Sequence, residues 1–211
     1  MILYDYFRST ACYRVRIAFN LKGIAHEKIS IHLINDGGQH HRPEYQRINP
    51  QELVPSLEVD GHIISQSLAI IDYLDESVPY PALLPKDPLN RAAVRSLAQI
   101  VACDMHPLNN LRVLNRLKAE FNASEAQVTS WYHHWLKVGF DAFETKLQTI
   151  ERTEPFCFGT TPSLADLCLI PQVFNAHRFN FAMHAYPLIN AINTHCLTLK
   201  AFQDAAPAAS L

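Results

Sequence analysis

The chain has 211 residues, of which 48% are hydrophobic and 18% charged, so it can bury a core and does not have the composition of a disordered protein. The formal net charge of −2 provides no positive field for a phosphate backbone, which argues against a nucleic-acid partner. The 11 histidines are scattered and show none of the paired His/Cys spacings of a metal site, so we expect no metal.

The cysteines and the first residues bear on the cellular compartment. The five cysteines are widely spaced and include no CxxC pair, which disfavours both a disulfide framework and a redox dithiol. Free thiols are typical of a reducing compartment, so we expect a cytoplasmic protein. The first residues do not resemble a secretory signal, and no apolar run reaches the ~20 residues that cross a bilayer, so we expect no membrane partner.

The first third of the chain predicts a small α/β domain. The apolar spacing indicates a strand, a helix from Thr10 to a stop at Gly23, and a second strand. A hairpin around Asp60-Gly61 and a final helix follow. A strand–helix–strand unit implies a parallel pair, to which the hairpin adds antiparallel strands. These residues therefore predict a mixed sheet of thioredoxin-like type, with strands at residues 2–4, 29–31, 56–59 and 62–64 and the last helix at 66–76.

The rest of the chain predicts helices only. Prolines punctuate residues 79–88, and helical patterns follow at 89–118 and 125–151. Pro107 predicts a break near His106, and a capping box at Ser163 predicts the start of a third long helix. The tail at residues 205–209 is expected to be frayed. We therefore predict an α/β plus all-α protein, with a thioredoxin-like domain at 1–78, a linker at 79–88, an all-helical domain at 89–211, and a small-molecule site between the domains.

Two segments of the first domain combine hydroxyl groups with the start of a helix. Arg8, Ser9 and Thr10 precede the first helix, where free N–H groups stabilise an anion such as a thiolate. Gln66 and Ser67 precede a later helix and could hold a carboxylate in the same way. The structural alternative is a simple capping role, of Ser9 or Thr10 at the first place and of Ser65 or Ser67 at the second.

Other polar residues carry weaker signals. Val54 precedes Pro55 at the start of a hairpin strand and is a candidate for a cis peptide bond, although most such bonds are trans. The polar groups around the Pro107 break can simply satisfy freed backbone groups, and a single arginine such as Arg178 is more often a solvated surface residue. Cys12 has no partner cysteine nearby, and we interpret it as a packed helix residue.

The order of these signals resembles a known family. The segment YDYFRSTACYRVRIA, which begins at Tyr4, is similar to the signature of the zeta-class glutathione transferases, which include maleylacetoacetate isomerases. Further similar motifs occur in the same order along nearly the whole chain: Asn49-Pro50, Val54-Pro55, residues 66–71, Tyr73-Leu74, residues 83–85 and residues 165–169.

The resemblance implies a glutathione site. Ser9 would hydrogen-bond the glutathione sulfur, and Thr10 stands where the family usually has a second serine. Val54 would pair with the cysteine backbone of glutathione, and Gln66 and Ser67 would hold its γ-glutamyl end. The remaining residues implied for glutathione are His40 and His106, which replace glutamines of animal members, and Asn110 and Arg112, which match a ligand-contacting stretch.

The resemblance also implies an activity. Arg8 and Arg178 would bind the carboxylates of a maleyl keto acid, and glutathione would act as a cofactor in converting maleylacetoacetate to fumarylacetoacetate, a step of tyrosine and phenylalanine breakdown. Maleylpyruvate isomerisation, general conjugation of electrophiles to glutathione, and a non-catalytic binding module remain alternatives. Leu111 departs from the maleylpyruvate enzymes, which we associate with an arginine there. The resemblance further implies a homodimer.

Overall fold

The computed structural model describes residues 1–150 and 155–207. The chain divides into two compact units. The first contains residues 1–82 together with the segment that starts at Leu199, and the second runs from Leu83 to Thr198. The first unit holds the thioredoxin-like sheet and the second is helical, which confirms the predicted fold class. The division into domains at 1–78 and 89–211 with a linker between them stays a prediction.

A four-stranded mixed sheet forms the centre of the first unit. Its strand order is β2-β1-β3-β4, with β1 parallel to β2 and the other two pairs antiparallel, as predicted. Leu3 of β1 lies opposite Leu57 of β3, and both side chains are fully buried, so the apolar positions fix the register. The strands are β1 (Ile2–Asp5), β2 (Glu27–Ser30), β3 (Ser56–Val59) and β4 (His62–Ser65).

Helices cover this sheet. The first helix ends where predicted, because Gly23 adopts a left-handed conformation with φ of 63°. Two short 3-10 turns precede α2, at Asn35–Gly37 and Gln39–His41. The helices of the first part of this unit are α1 (Thr10–Lys22), α2 (Pro43–Gln46) and α3 (Ser67–Ser77).

The end of the chain packs against α1. The Tyr13 hydroxyl donates to the Phe202 carbonyl at 3.2 Å, and Arg16 Nε donates to the Ala205 carbonyl at 2.9 Å. Phe202 is fully buried and Ala205 is 1% exposed. The predicted fraying is therefore wrong for residues 205–207, because apolar contacts and backbone hydrogen bonds hold this segment. Residues 208 and 209, which the prediction also included, lie outside the described residues.

The second unit is built from six regular helical segments in its described part. The helices Pro88–Gln99 and Leu111–Phe121 are separated by a π-helix, Ile100–Met105, and a turn, which confirms the break predicted near His106. The second predicted helix is present up to Thr149, and Glu151 lies outside the described residues. The α-helices are α4 (Pro88–Gln99), α5 (Leu111–Phe121), α6 (Glu125–Thr149), α7 (Leu164–Arg178) and α8 (Pro187–Cys196); α9 (Lys200–Gln203) belongs to the first unit. No described helix is long and apolar enough to cross a membrane.

A buried carboxylate fixes the start of α7. Asp166 is fully buried and accepts three hydrogen bonds, from the Cys157 N–H at 2.8 Å, the Ser163 N–H at 2.8 Å and the Ser163 hydroxyl at 2.7 Å. This arrangement confirms the predicted capping box. Burial raises the pKa of the Asp166 carboxyl, and the hydrogen bonds from Cys157 and Ser163 oppose that shift.

We expect Asp166→Ala to lower the free energy of unfolding by about 2–4 kcal/mol, because it leaves buried N–H groups without an acceptor. Ser124→Ala is the matched control, since it removes an exposed capping box at the start of α6 and should cost about 1 kcal/mol. Urea unfolding of both variants measures the difference. Equal losses would contradict the special role given to the buried cap.

Candidate active site

The start of α1 presents a serine hydroxyl. Ser9 is the N-cap residue, and its Oγ accepts a hydrogen bond from the Cys12 N–H at 3.2 Å. Since this bond uses an oxygen lone pair, the hydroxyl proton stays available to donate to another group. Capping and anion binding, the two interpretations of Ser9, are therefore compatible. Thr10 is the first residue of α1 and is 2% exposed.

Cys12 belongs to the core. It is fully buried, and its Sγ accepts a hydrogen bond from the Tyr6 N–H at 3.4 Å. Burial raises the pKa of the Cys12 thiol. A thiol held in its neutral form is a poor nucleophile, so the interpretation of Cys12 as a packed residue is confirmed.

Val54 lies in an apolar cluster close to the start of α1. The cluster also contains Tyr6, Phe7 and Cys12, and the Val54–Pro55 peptide bond is cis. The preceding carbonyl of Leu53 is held by the Tyr45 hydroxyl at 2.7 Å and by Asn49 Nδ2 at 2.8 Å. Among the described residues, no hydrogen bond engages the backbone N–H or C=O of Val54. The backbone here can therefore pair with an extended peptide.

His40 offers an unsatisfied ring nitrogen. Its Nδ1 is buried and has no hydrogen-bond partner among the described residues. Its ring packs on that of His41, with 3.8 Å between the ring centroids. Burial lowers the pKa of His40 and the nearby His41 adds to the effect, so the ring is neutral at neutral pH. Gly38, with φ of 94°, permits this placement, because a Cβ there would lie 2.5 Å from His40 Cε1.

The start of α3, unlike that of α1, has no side-chain cap. Gln66 occupies the N-cap position with φ of 70° and makes no capping bond; its Nε2 instead donates to Gln51 Oε1 at 2.7 Å. Ser65 ends β4 and Ser67 is already the first helical residue, so the capping alternative for these serines is wrong. The first turn of α3 has no acidic residue to balance its free N–H groups.

Behind Ser67 lies a buried arginine that the sequence analysis did not single out. Arg14 Nη1 donates to Ser67 Oγ at 3.4 Å, and Arg14 is 1% exposed. Its Nε and Nη2 have no hydrogen-bond partner among the described residues. Its burial could have been inferred from the sequence, because Ile17 and Ala18, three and four residues further along α1, lie on the same helix face and are apolar.

Arg8, like Arg14, has no acidic partner among the described residues. Its guanidinium lies over the Phe7 ring, 5.1 Å from the centroid, and the side chain is half-buried. No ion pair or side-chain hydrogen bond of Arg8 occurs within residues 1–150 and 155–207. Its donors are therefore available to an anionic ligand.

The predicted residues around the Pro107 break are largely engaged by the backbone. Asn110 is the N-cap of α5, and its Oδ1 accepts from the Arg112 N–H at 3.1 Å. Asn109 Nδ2 donates to the Tyr132 carbonyl at 3.1 Å, and His106 ends the π-helix. These contacts support the structural interpretation of the cluster. The Arg112 guanidinium is exposed.

Arg178 ends α7 and is exposed. Its guanidinium lies over the Phe179 ring at 5.1 Å, and Nη1 donates to Asn175 Oδ1 at 3.4 Å. Phe179 in turn stacks on Tyr132, with 3.8 Å between the ring centroids. Burial raises the pKa of the Tyr132 hydroxyl. The charge of Arg178 and a hydrogen bond with Asn175 act against this rise. The aromatic support orients Arg178 while leaving it without a carboxylate partner among the described ion pairs.

The structure thus distributes the predicted residues over both units. Seven lie in the first unit. Arg8, Ser9 and Thr10 lie at the start of α1, and Gln66 and Ser67 lie at the start of α3. Val54 belongs to the apolar cluster and His40 to a 3-10 turn, while the contact between Arg14 and Ser67 joins α1 to the start of α3. The other four lie in the second unit: His106, Asn110, Arg112 and Arg178.

A thioredoxin-like unit with a serine hydroxyl at the start of α1, an uncapped α3 and a following helical unit defines a glutathione transferase. The family model described as glutathione S-transferase, N-terminal domain, matches residues 3–82. A probable maleylacetoacetate isomerase of Vibrio cholerae serotype O1 is 45% identical over 208 residues, which cover 98% of this chain and 95% of that protein. The chain belongs to the zeta class of glutathione S-transferases.

Two solved structures of this class are also similar. One is a holo structure of maleyl pyruvate isomerase, a bacterial glutathione S-transferase in the zeta class, with a TM-score of 0.96, 45% identity and coverage of 100% of this chain and 98% of that one. The other is a maleylacetoacetate isomerase from Methylobacterium extorquens AM1 with bound malonate and glutathione, with a TM-score of 0.95, 40% identity and coverage of 100% and 98%.

We expect one cysteine, Cys103, to react rapidly with a disulfide reagent such as dithionitrobenzoate in the folded protein. Cys103 is exposed, whereas Cys12, Cys157, Cys168 and Cys196 are buried. Absorbance at the thiolate product band counts the reacted groups, and all five should react in denaturant. A fast-reacting thiol that persists in Cys103→Ser would contradict this assignment.

Proposed function

We propose that this protein is a glutathione-dependent cis–trans isomerase of maleyl keto acids, with maleylacetoacetate as substrate and fumarylacetoacetate as product. The observation that carries the proposal is the Ser9 hydroxyl at the start of α1, which caps the helix through its oxygen and is able to donate its proton to a sulfur anion. The isomerase names of relatives that match nearly the whole chain support the same reaction.

The residues of the first unit fit glutathione along its length. The free backbone groups of Val54 suit the central cysteine of the tripeptide. The uncapped start of α3, with Gln66 and Ser67, suits the γ-glutamyl carboxylate, because helix N-termini bind anions. The unpartnered Nδ1 of His40 provides one further polar contact. We infer the same binding role, from resemblance, for Thr10, His106, Asn110 and Arg112.

When bound, glutathione supplies a thiolate that adds reversibly to the cis double bond, permits rotation, and departs to leave the trans bond. A free thiol has a pKa of ~8.5, so the site has to favour the anion. Ser9 donates its hydroxyl proton to the sulfur, and the free N–H groups at the start of α1 add partial positive charge. Both effects lower the pKa of the bound thiol.

The arginines serve the organic substrate. Addition places negative charge on the conjugated carbonyl, and a guanidinium binds carboxylates and carbonyl oxygens through forked hydrogen bonds. Arg8 and Arg178 are suited to this role because each lies against an aromatic ring and neither has a carboxylate partner among the described residues. We assign them to binding the substrate and stabilising the developing charge.

Maleylpyruvate isomerisation is the second candidate, since the similar holo structure carries that name. The chemistry is the same on a shorter keto acid. Leu111 stands where we associate an arginine with the maleylpyruvate enzymes, which favours maleylacetoacetate. Relative kcat/KM values on the two substrates decide between them.

We also propose that the protein is a cytoplasmic homodimer. The five cysteines, all free, suit a reducing compartment. The dimer rests on family resemblance, and light scattering of the purified protein tests it.

We expect maleylacetoacetate turnover to require glutathione without consuming it. A catalytic amount should convert a large excess of substrate, and thiol titration after the reaction should recover the starting amount. Ser9→Ala should lower turnover strongly because it removes the donor to sulfur, whereas Ser124→Ala, which removes a cap in the second unit, should not. Stoichiometric loss of glutathione would indicate conjugation, and failure to bind it at millimolar concentration would indicate a non-catalytic module.

Arg178→Ala should lower kcat/KM for the maleyl substrate by about 10²–10³-fold while the Kd for glutathione stays unchanged, because one electrostatic donor is lost. Arg116→Ala is the control, since Arg116 is an exposed arginine paired with Glu120 at 2.6 Å. Steady-state kinetics and calorimetric glutathione titration supply the two measurements. Unchanged turnover in Arg178→Ala would remove this residue from the mechanism.

A further inference from the structure

The first unit contains two buried arginines, Arg14 and Arg16, which are two residues apart in α1 and therefore point in different directions, and their surroundings differ. Arg16 pairs with Asp5 at 2.6 Å, and it also donates to the carbonyls of Phe7 at 3.1 Å and Ala205 at 2.9 Å. These contacts satisfy its guanidinium and tie α1 to the sheet and the end of the chain. Arg16 is therefore a structural cation.

Arg14 is 1% exposed, and among the described residues its guanidinium makes one hydrogen bond, from Nη1 to Ser67 Oγ at 3.4 Å. Its Nε and Nη2 have no partner, and it forms no ion pair among the described residues. A buried charge without a counter-ion costs folding free energy, because its hydration is lost and no attraction replaces it. The fold keeps this cation next to the start of α3, where the N–H groups are also uncapped.

The hydrogen bond between these side chains sets the direction of the Ser67 hydroxyl. Since Oγ accepts from Arg14, the hydroxyl proton is available to an acceptor other than Arg14. A carboxylate at the start of α3 would receive that proton together with the helix N–H groups, and it would sit close to the buried positive charge. The interaction is strong because little water screens a charge this deeply buried.

We propose that Arg14 is a positioning residue that makes the start of α3 selective for a carboxylate, acting through Ser67. The inference rests on the proposed function, in which this carboxylate is the γ-glutamyl carboxylate of glutathione. The charge missing from the environment of Arg14 is supplied by the ligand. Arg14 thereby stabilises bound glutathione at the cost of the ligand-free fold.

Two ligands test this role in the full-length protein: glutathione and its analogue in which 4-aminobutyryl replaces γ-glutamyl, which lacks only the α-carboxylate. Calorimetry gives the Kd of each for the wild type and for Arg14→Met. We expect the preference of the wild type for glutathione over the analogue to fall about 10-fold in Arg14→Met, as for loss of a charge-assisted hydrogen bond. Arg14→Lys, which keeps the charge, should restore part of the preference.

Kinetics and stability supply readouts that a purely structural role would not produce. The KM for glutathione should rise in Arg14→Met while kcat at saturating glutathione stays close to that of the wild type. The Tm of ligand-free Arg14→Met should equal or exceed that of the wild type, whereas Arg16→Met should lower it, because only Arg16 makes satisfied structural contacts.

The outcomes separate the two ideas. If the wild type does not bind glutathione, the proposed function fails. If the wild type binds it but Arg14→Met weakens both ligands equally, or loses as much Tm as Arg16→Met, Arg14 is merely structural and this inference is overturned. If Arg14→Met does not fold, Ser67→Ala interrupts the same contact from the other side, and an unchanged preference between the two ligands in that variant overturns the inference.

Discussion

Hydrogen-bond direction at two serine hydroxyls determines what the first unit can bind. Ser9 Oγ accepts from the Cys12 N–H and Ser67 Oγ accepts from Arg14, so each hydroxyl has one free proton at a helix start. A hydroxyl that can donate a proton beside the partial positive charge of a helix start attracts anions. In the proposed function, the thiolate of glutathione would meet the Ser9 hydroxyl and the γ-glutamyl carboxylate would meet the Ser67 hydroxyl.

The buried and half-buried lysine and arginine side chains of the first unit fall into two groups by their partners. Arg16 and Lys22 are buried and paired, with Asp5 and Asp75 respectively, and they also bind backbone carbonyls. Arg8 and Arg14 have no carboxylate among the described residues. Ion pairs therefore stabilise the fold at Arg16 and Lys22, whereas the positive charges of Arg8 and Arg14 stay available to a ligand. Burial alone does not distinguish the two groups, because Arg14 and Arg16 are both buried and differ in whether a carboxylate lies beside them.

The sequence predicted the sheet, its parallel pair and the hairpin, because these follow from local periodicity and from the Asp60-Gly61 turn. It also located the serine at the start of α1. It did not reveal Arg14, because an arginine inside a helix is normally predicted to be solvent-exposed unless its whole helix face is known to be buried. It missed the packing of residues 205–207 for a related reason: long-range contacts with Tyr13 and Arg16 hold them, and composition carries no information about such contacts.

The last described residues have a consequence for biosynthesis. Leu199 onward belongs to the compact unit formed mostly by residues 1–82, although the whole second unit lies between them in sequence. The guanidinium of Arg16 and the hydroxyl of Tyr13 find their carbonyl partners in this segment. During translation the thioredoxin-like sheet emerges first but lacks these partners until residues 199–207 have been synthesised. The first unit therefore completes its folding only after the whole second unit has been made, and a chain that stalls before Leu199 would leave the Tyr13 hydroxyl and the Arg16 guanidinium without these carbonyls.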